Sequence, residues 1–181
     1  MVEKASCSWR EPYPERPRRY RCPKHDRQRN PRGTTAHGKP GQNSLVRYQV
    51  IDHTADTGII AYGVTPNELF ENAGWGMFDL MFDLSDVNPA RDVPVTAAGD
   101  DLEELLVNWL SELLYHSEVL DLALCYFTVD RLEEGGVQGS AGGVPVGALE
   151  LRGPPIKAIT YHDLAIVENP DTWWARIIFD V

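Results

Sequence analysis

The chain has 181 residues, 43% of them hydrophobic, and a formal net charge of −10. That length suits one ordinary domain with an appended segment, and no run approaches the ~18 consecutive apolar residues of a spanning helix. The N-terminus lacks the apolar core of a secretory signal, and Cys7, Cys22 and Cys125 make no disulfide framework, so the expectation is a cytoplasmic protein with no membrane partner.

The charge is unevenly spread. Residues 1–47 hold 12 of the 17 basic and 4 of the 27 acidic side chains, net +8, which leaves residues 48–181 at −18. A body that acidic is repelled by a phosphate backbone, because nucleic-acid affinity rests on Lys and Arg displacing counterions. Tight direct binding of nucleic acid by the folded part is therefore not expected; cations or a basic protein surface suit it better.

Residues 1–45 read as a disordered basic tail, rich in Arg and Pro and too poor in aliphatic side chains to offset chain entropy. Cys22 and His25, with Cys7, lack the paired spacing of a zinc site. Residues 46–181 read as the folded domain. Tyr48 to Ile51 alternates as a strand and enters Asp52-His53-Thr54-Ala55-Asp56-Thr57-Gly58, and Gly58 to Gly63 leaves that stretch extended. Asp and Thr in such a turn bond neighbouring backbone N–H groups; the alternative is that Asp56 leaves the turn as a metal ligand or acid–base group, with His53 beside it.

Thr65-Pro66-Asn67-Glu68 predicts a helix start, with Thr65 as N-cap, Pro66 at the first position and Glu68 as the reciprocal cap. Leu69, Phe70, Ala73, Met77, Leu80 and Met81 then share one face. Arg91 to Ala97 alternates as a short strand. A second helix opens at Asp100-Asp101 and lines up Leu102, Leu105, Leu106, Trp109, Leu110, Leu113 and Leu114. Leu122 to Leu132 is a long strand. Glu133 to Pro145 is expected to be a Gly-rich, poorly ordered hairpin loop, and Gly147 to Arg152 a returning strand. Ile156–Tyr161 and Leu164–Val167 read as two short strands hinged at His162-Asp163, and Trp173 to Val181 as a closing strand. Strands and helices in this order, without strict β–α alternation, give an α+β class: a mixed sheet of several short strands packed against two amphipathic helices.

The chemistry-bearing residues reduce to His53, Asp56, Lys157, His162, Asp163, Asp180 and Val181. Asp56, Asp180 and an oxygen of the last residue are of the kind that Mg²⁺, Mn²⁺ or Ca²⁺ prefer. His53 is either a ligand or a ring bonded to a nearby carbonyl. Lys157 contacts a phosphate or an acidic group, or is an ordinary strand-edge charge. His162-Asp163 matches the pair of metal phosphohydrolases, whose sites need further ligands carried on helices. No Ser or Cys stands in a nucleophile setting, and the glycines lack the following Lys-Ser/Thr of a phosphate loop.

Three motifs resemble the archease family. His53-Thr54-Ala55-Asp56-Thr57-Gly58 is similar to its opening signature, with Thr57 where Ile is usual; Lys157-Ala158-Ile159-Thr160-Tyr161-His162 is similar to a second motif; and the sequence ends on Asp180-Val181, an Asp followed by one apolar residue. The likeness runs from about Val46 to Val181. It implies an archease-like α+β fold, and a divalent metal ion held by Asp56, Asp180 and Val181, with His53, Lys157 and His162 as accessory or partner-facing residues. It implies a protein cofactor rather than an enzyme: an activator of the RtcB-type tRNA-splicing RNA ligase, promoting its guanylylation and multiple turnover. A stand-alone metal-dependent phosphohydrolase and a chaperone-like module with a structural metal are the alternatives. Archeases begin just before the first strand, so the basic segment is expected to be a non-functional tail or an over-extended reading of the gene.

Overall fold

In the computed structural model, residues 46–52 and 57–181 are described. The elements run β1 (Tyr48–Asp52), β2 (Thr57–Gly63), α1 (Pro66–Met81), β3 (Arg91–Ala98), α2 (Leu102–Leu120), β4 (Leu122–Glu133), β5 (Gly136–Pro145), a 3-10 turn (Val146–Ala148), β6 (Ala158–Asn169) and β7 (Thr172–Asp180).

Both helices start as their sequences dictate. Thr65 Oγ1 accepts from Glu68 N at 3.2 Å, and Glu68 Oε2 accepts from Val64 N at 2.8 Å, so two of the donors a helix leaves orphaned are satisfied. Asp101 and Glu104 repeat the arrangement on α2: Asp101 Oδ1 accepts from Glu104 N at 2.8 Å, and Glu104 Oε2 from Asp100 N at 2.7 Å. Asp121 then closes α2 in the left-handed conformation, φ 54°, which Asp tolerates better than most residues.

The expected α+β class holds, with strands packed against two amphipathic helices. Instead of one mixed sheet, the strands form two sheets, both antiparallel throughout, in the orders β1-β2-β7-β6 and β3-β5-β4. Each helix touches both: α1 packs on β2 and β4, α2 on β3 and β6. Trp109, Phe70, Phe78, Phe179 and Ile59 fill the space between them, fully buried. Gly74 and Gly76 permit that placement of α1. A Cβ on Gly74 would meet Leu113 Cδ1 at 3.0 Å, and one on Gly76 would meet Ile59 Cδ1 at 2.9 Å, so helix propensity is surrendered for close approach on two sides.

The residues expected to form a Gly-rich loop are instead β5, the middle strand of the second sheet. Its glycines weaken it intrinsically but allow tight pairing: a Cβ on Gly139 would collide with the Thr128 carbonyl oxygen, and one on Gly143 would lie 2.7 Å from that of Ala123. With β5 in place, β3 and β4 have a common partner and form a sheet of their own. The expected strand at Gly147–Arg152 reduces to the 3-10 turn and one bridge, Phe82 to Leu151. Backbone bonds from Asp83 N to Glu150 O (3.0 Å) and Arg152 N to Met81 O (2.9 Å) tie this segment to the end of α1.

The two strands expected around His162-Asp163 are one strand, β6, with a bulge. Thr160 pairs with Ile178 and Ala165 with Arg176, so five steps on β6 oppose two on β7. Asp163 sits at φ 52° within it. A bulge of this size on an edge strand interrupts the row of free backbone groups that would otherwise recruit another strand.

Candidate functional site

The pairing of the first sheet gathers several sequence motifs at one end. Asp52 pairs with Thr57 at the mouth of the β1–β2 hairpin, Thr57 with Phe179, and Asp180 with Ala158. The end of β7 is thus flanked by the start of β2 on one side and the start of β6 on the other. His53 and Asp56 lie outside the described residues; in sequence, Asp56 is one residue from the Thr57–Phe179 pair and Asp180 one residue beyond it.

Lys157 is fastened to this end twice. Its backbone N–H donates to Asp180 O at 2.8 Å, and its Nζ donates to the main-chain oxygen of Val181 at 3.0 Å. Asp180 and Lys157 are exposed, and Val181 is half-buried against the core. The oxygens of Asp180 and Val181 are hard donors of the kind a divalent cation takes, and one of them already accepts from a cationic group. The residues present therefore fit a hard divalent ion in type. Among the described residues, no group of three His, Cys, Asp or Glu side chains could hold a metal; a side-chain set of that size would have to draw on residues outside them.

His162 is set apart from this end. It lies in the bulge, between the Thr160–Ile178 and Ala165–Arg176 pairs, and at 3.3 Å per residue this places it roughly 7–13 Å along the sheet from Asp180. Its Nε2 is 3.6 Å from Asp163 Oδ2, both side chains more than half exposed. The pair stands on a strand, not on a helix as the metal phosphohydrolase arrangement requires.

A polar cluster that sequence reasoning missed holds the approach to Lys157. Asp79, on α1 and 7% exposed, accepts from Arg152 Nη1 and from the Tyr48 hydroxyl, each at 2.6 Å, while Arg152 Nη2 bonds Asp83 Oδ1 at 3.0 Å. Burial first, and then the bond to the Asp79 carboxylate, push the Tyr48 hydroxyl far above its ordinary value and keep it a neutral donor. Ile156, buried and bonded from its N–H to Met81 Sδ at 3.3 Å, completes the tether. Arg152 and Ile156 thus fix the segment that delivers Lys157 to the sheet end. The available signal was Asp79 itself, an acid on a helix whose neighbouring residues are largely apolar.

Two further polar groups serve the fold. Glu71 Oε1 accepts from Val129 N at 2.8 Å, and Asn67 Nδ2 donates to Val129 O at 3.0 Å; α1 thereby covers part of the free edge of β4, as a strand would. Burial pulls the Glu71 carboxyl above its usual range, against the opposing bond from Val129. An open groove of about 550 Å³ between α2 and the β4–β5 turn, lined by Thr96, Asn108, Ser111, Glu112 and Gln138 among others, shares no residue with the sheet end. No helix among the described residues is long and apolar enough to cross a membrane.

Residues 48–181 match the model of the Archease protein family. The chain is 37% identical to a protein archease of Methanosarcina barkeri over 140 residues, 75% of this chain and 96% of that one. It is 35% identical to a protein archease of Sulfolobus acidocaldarius, covering 76% of this chain and 100% of the relative. Among solved structures, a Methanobacterium thermoautotrophicum protein superposes with a TM-score of 0.61 at 31% identity, over 75% of this chain and 99% of that one. An archease of Thermotoga maritima, described as a possible chaperone, superposes with a TM-score of 0.52 at 18% identity over 80% of this chain and 100% of that one, a likeness of fold alone. The chain belongs to the archease family.

Proposed function

We propose that this archease is a non-enzymatic activator of an RtcB-type RNA ligase, acting in the cytoplasm in tRNA splicing or RNA repair. It promotes guanylylation of the ligase and restores it for multiple turnover. A divalent ion (Ca²⁺, Mg²⁺ or Mn²⁺) is held by Asp56, Asp180 and the Val181 oxygen, with His53, Lys157 and His162 facing the ligase. When bound, the ion neutralises charge on nucleotide phosphates as they react.

The observation that carries this reading is the strand register that sets Thr57 against Phe179 and Asp180 against Ala158, with Lys157 N–H bonded to Asp180 O, all at one end of a sheet. Such an end presents oxygen donors outward on rigid strands, so a partner's active site can approach them. The charge of −18 over residues 48–181 supports docking on a basic RNA-binding enzyme, since complementary charge speeds encounter and aligns partners.

The test is transfer of GMP to the cognate ligase, followed with labelled GTP. The chain should accelerate it, Asp56→Ala and Asp180→Ala should not, and His162→Ala should reduce the gain. Unchanged guanylylation with the wild-type chain would refute the proposal. The description of the Thermotoga maritima relative as a possible chaperone favours a second reading, an interaction module with a structural metal. That reading requires Asp180→Ala to lose stability in step with activation, and a fully stable, inactive variant would exclude it. A stand-alone hydrolase would turn over phosphoesters without any ligase present.

A further inference from the structure

An ammonium group already stands where a cation is expected. Lys157 Nζ is 3.0 Å from the main-chain oxygen of Val181, while the backbone of Lys157 is bonded to Asp180 O. Its side chain therefore reaches across the end of β7 from a fixed base. Lys157 is the only lysine in residues 46–181. Other cations of the described residues have commitments elsewhere: Arg152 is bonded to Asp79 and Asp83, Arg131 to Glu133, and Arg47 lies over the Trp75 ring at 5.1 Å.

We propose that Lys157 is an internal competitor for the cation site: its ammonium occupies the Val181 oxygen in the cation-free protein and gives way when a divalent ion binds. This rests on the metal-binding reading given above and deepens it. A compact, flexible, strongly hydrated charge on a four-carbon stem is suited to that exchange, because it can leave one oxygen and return to water at little cost. Once displaced into water the ammonium is still tethered by its stem and repels the ion; for a unit and a double charge about 5 Å apart in water, that opposition amounts to about tenfold in affinity. A site with such a competitor holds its ion weakly, which suits an ion that is exchanged or shared with a partner rather than locked into the fold.

The opposite arrangement is a brace, in which Lys157 steadies Val181 so that it can ligate. The two differ in sign. In the first, removing the charge tightens cation binding; in the second it loosens it.

The experiment is a Mn²⁺ titration of the full chain, with free ion read by electron paramagnetic resonance, for the wild type, Lys157→Met, Lys157→Arg and Asp180→Asn. Melting curves check that each variant is folded; Lys157 is exposed, so its variants should melt close to the wild type. Competition predicts about tenfold tighter binding by Lys157→Met, binding close to wild type by Lys157→Arg, and weaker binding by Asp180→Asn. Equal or weaker binding by Lys157→Met, with Asp180→Asn still weakened, overturns the competitor and leaves the metal site standing. Identical titrations for wild type and Asp180→Asn sink the metal reading and the competitor together.

Discussion

Replacing Arg152 by Met tests whether the cluster on α1 holds the segment leading to the sheet end. Asp79 is 7% exposed and takes hydrogen bonds from Arg152 and Tyr48, whereas the Arg152 side chain is 43% exposed and shared with Asp83. Removing one partner of a fully buried ion pair costs about 3–5 kcal/mol, because the other charge is stranded. Here water reaches the guanidinium side and Tyr48 still donates, so the pair is worth less; about 2–3 kcal/mol is expected. For a chain of this size that is a fall of roughly 5–10 °C in melting temperature. The assay is urea unfolding, cross-checked by calorimetry, on wild type, Arg152→Met, Asp79→Asn and the double variant. The double variant should lose less than the sum of the two single losses, since no carboxylate is left stranded. A loss in Arg152→Met below about 0.5 kcal/mol, the range of an unremarkable surface substitution, would refute the assignment of Arg152 as the anchor.

Three other outcomes follow from the same geometry. Burial raises the Glu71 carboxyl above its ordinary value of 4.5, so its contribution to stability is fully present below that value and declines as pH rises through the folded one. Glu71→Gln keeps an acceptor for Val129 N without the buried charge; it should be more stable than wild type at pH 7, and urea melts should show that advantage disappearing near pH 4. Gly139→Ala drives a Cβ onto the Thr128 carbonyl oxygen, whereas among the described residues nothing lies within 4 Å of a Cβ on Gly147; the first should cost about 1–3 kcal/mol and Gly147→Ala almost nothing, and equal melting temperatures would contradict the close pairing of β5. Trp109 is fully buried, and Nε1 has no partner among the described residues, so Trp109→Phe forfeits no hydrogen bond to them and should unfold with a far smaller penalty than Trp109→Ala, at about 3–5 kcal/mol.

The helices were legible because local rules agreed with the fold. Thr65, Pro66 and Glu68 are a cap sequence that acts within one turn, Asp100 and Asp101 mark the start of α2, and the apolar faces of α1 and α2 repeat at the helical period; the reciprocal bond of Glu104 to Asp100 N was not read from the sequence. β5 was hidden because Gly136, Gly139, Gly142 and Gly143 carry the composition of a loop, and their value appears only when β3 and β4 press against them. The β6 bulge was half legible: His162-Asp163 reads as an interruption, but whether a strand stops or bulges there depends on the register with β7. At the site, residue type pointed to Asp180, Val181 and Lys157, and the pairing of β2, β7 and β6 gathers their stretch of chain beside Thr57. His162 belongs to the same motif as Lys157 yet lies past the Thr160–Ile178 pair, in the bulge, where the sequence does not report the register with β7. The Asp79–Arg152 contact joins residues 73 positions apart, beyond anything periodicity reports.

The most direct test of the central claim is ligation by the cognate RtcB-type ligase with RNA in excess, with and without this chain, and with Asp56→Ala and Asp180→Ala. The account predicts that the wild-type chain converts a single round of joining into many, and that both variants remain folded but leave the ligase at one round. Ligation that is already multi-turnover and unmoved by the chain, or variants that activate as well as wild type, would contradict it.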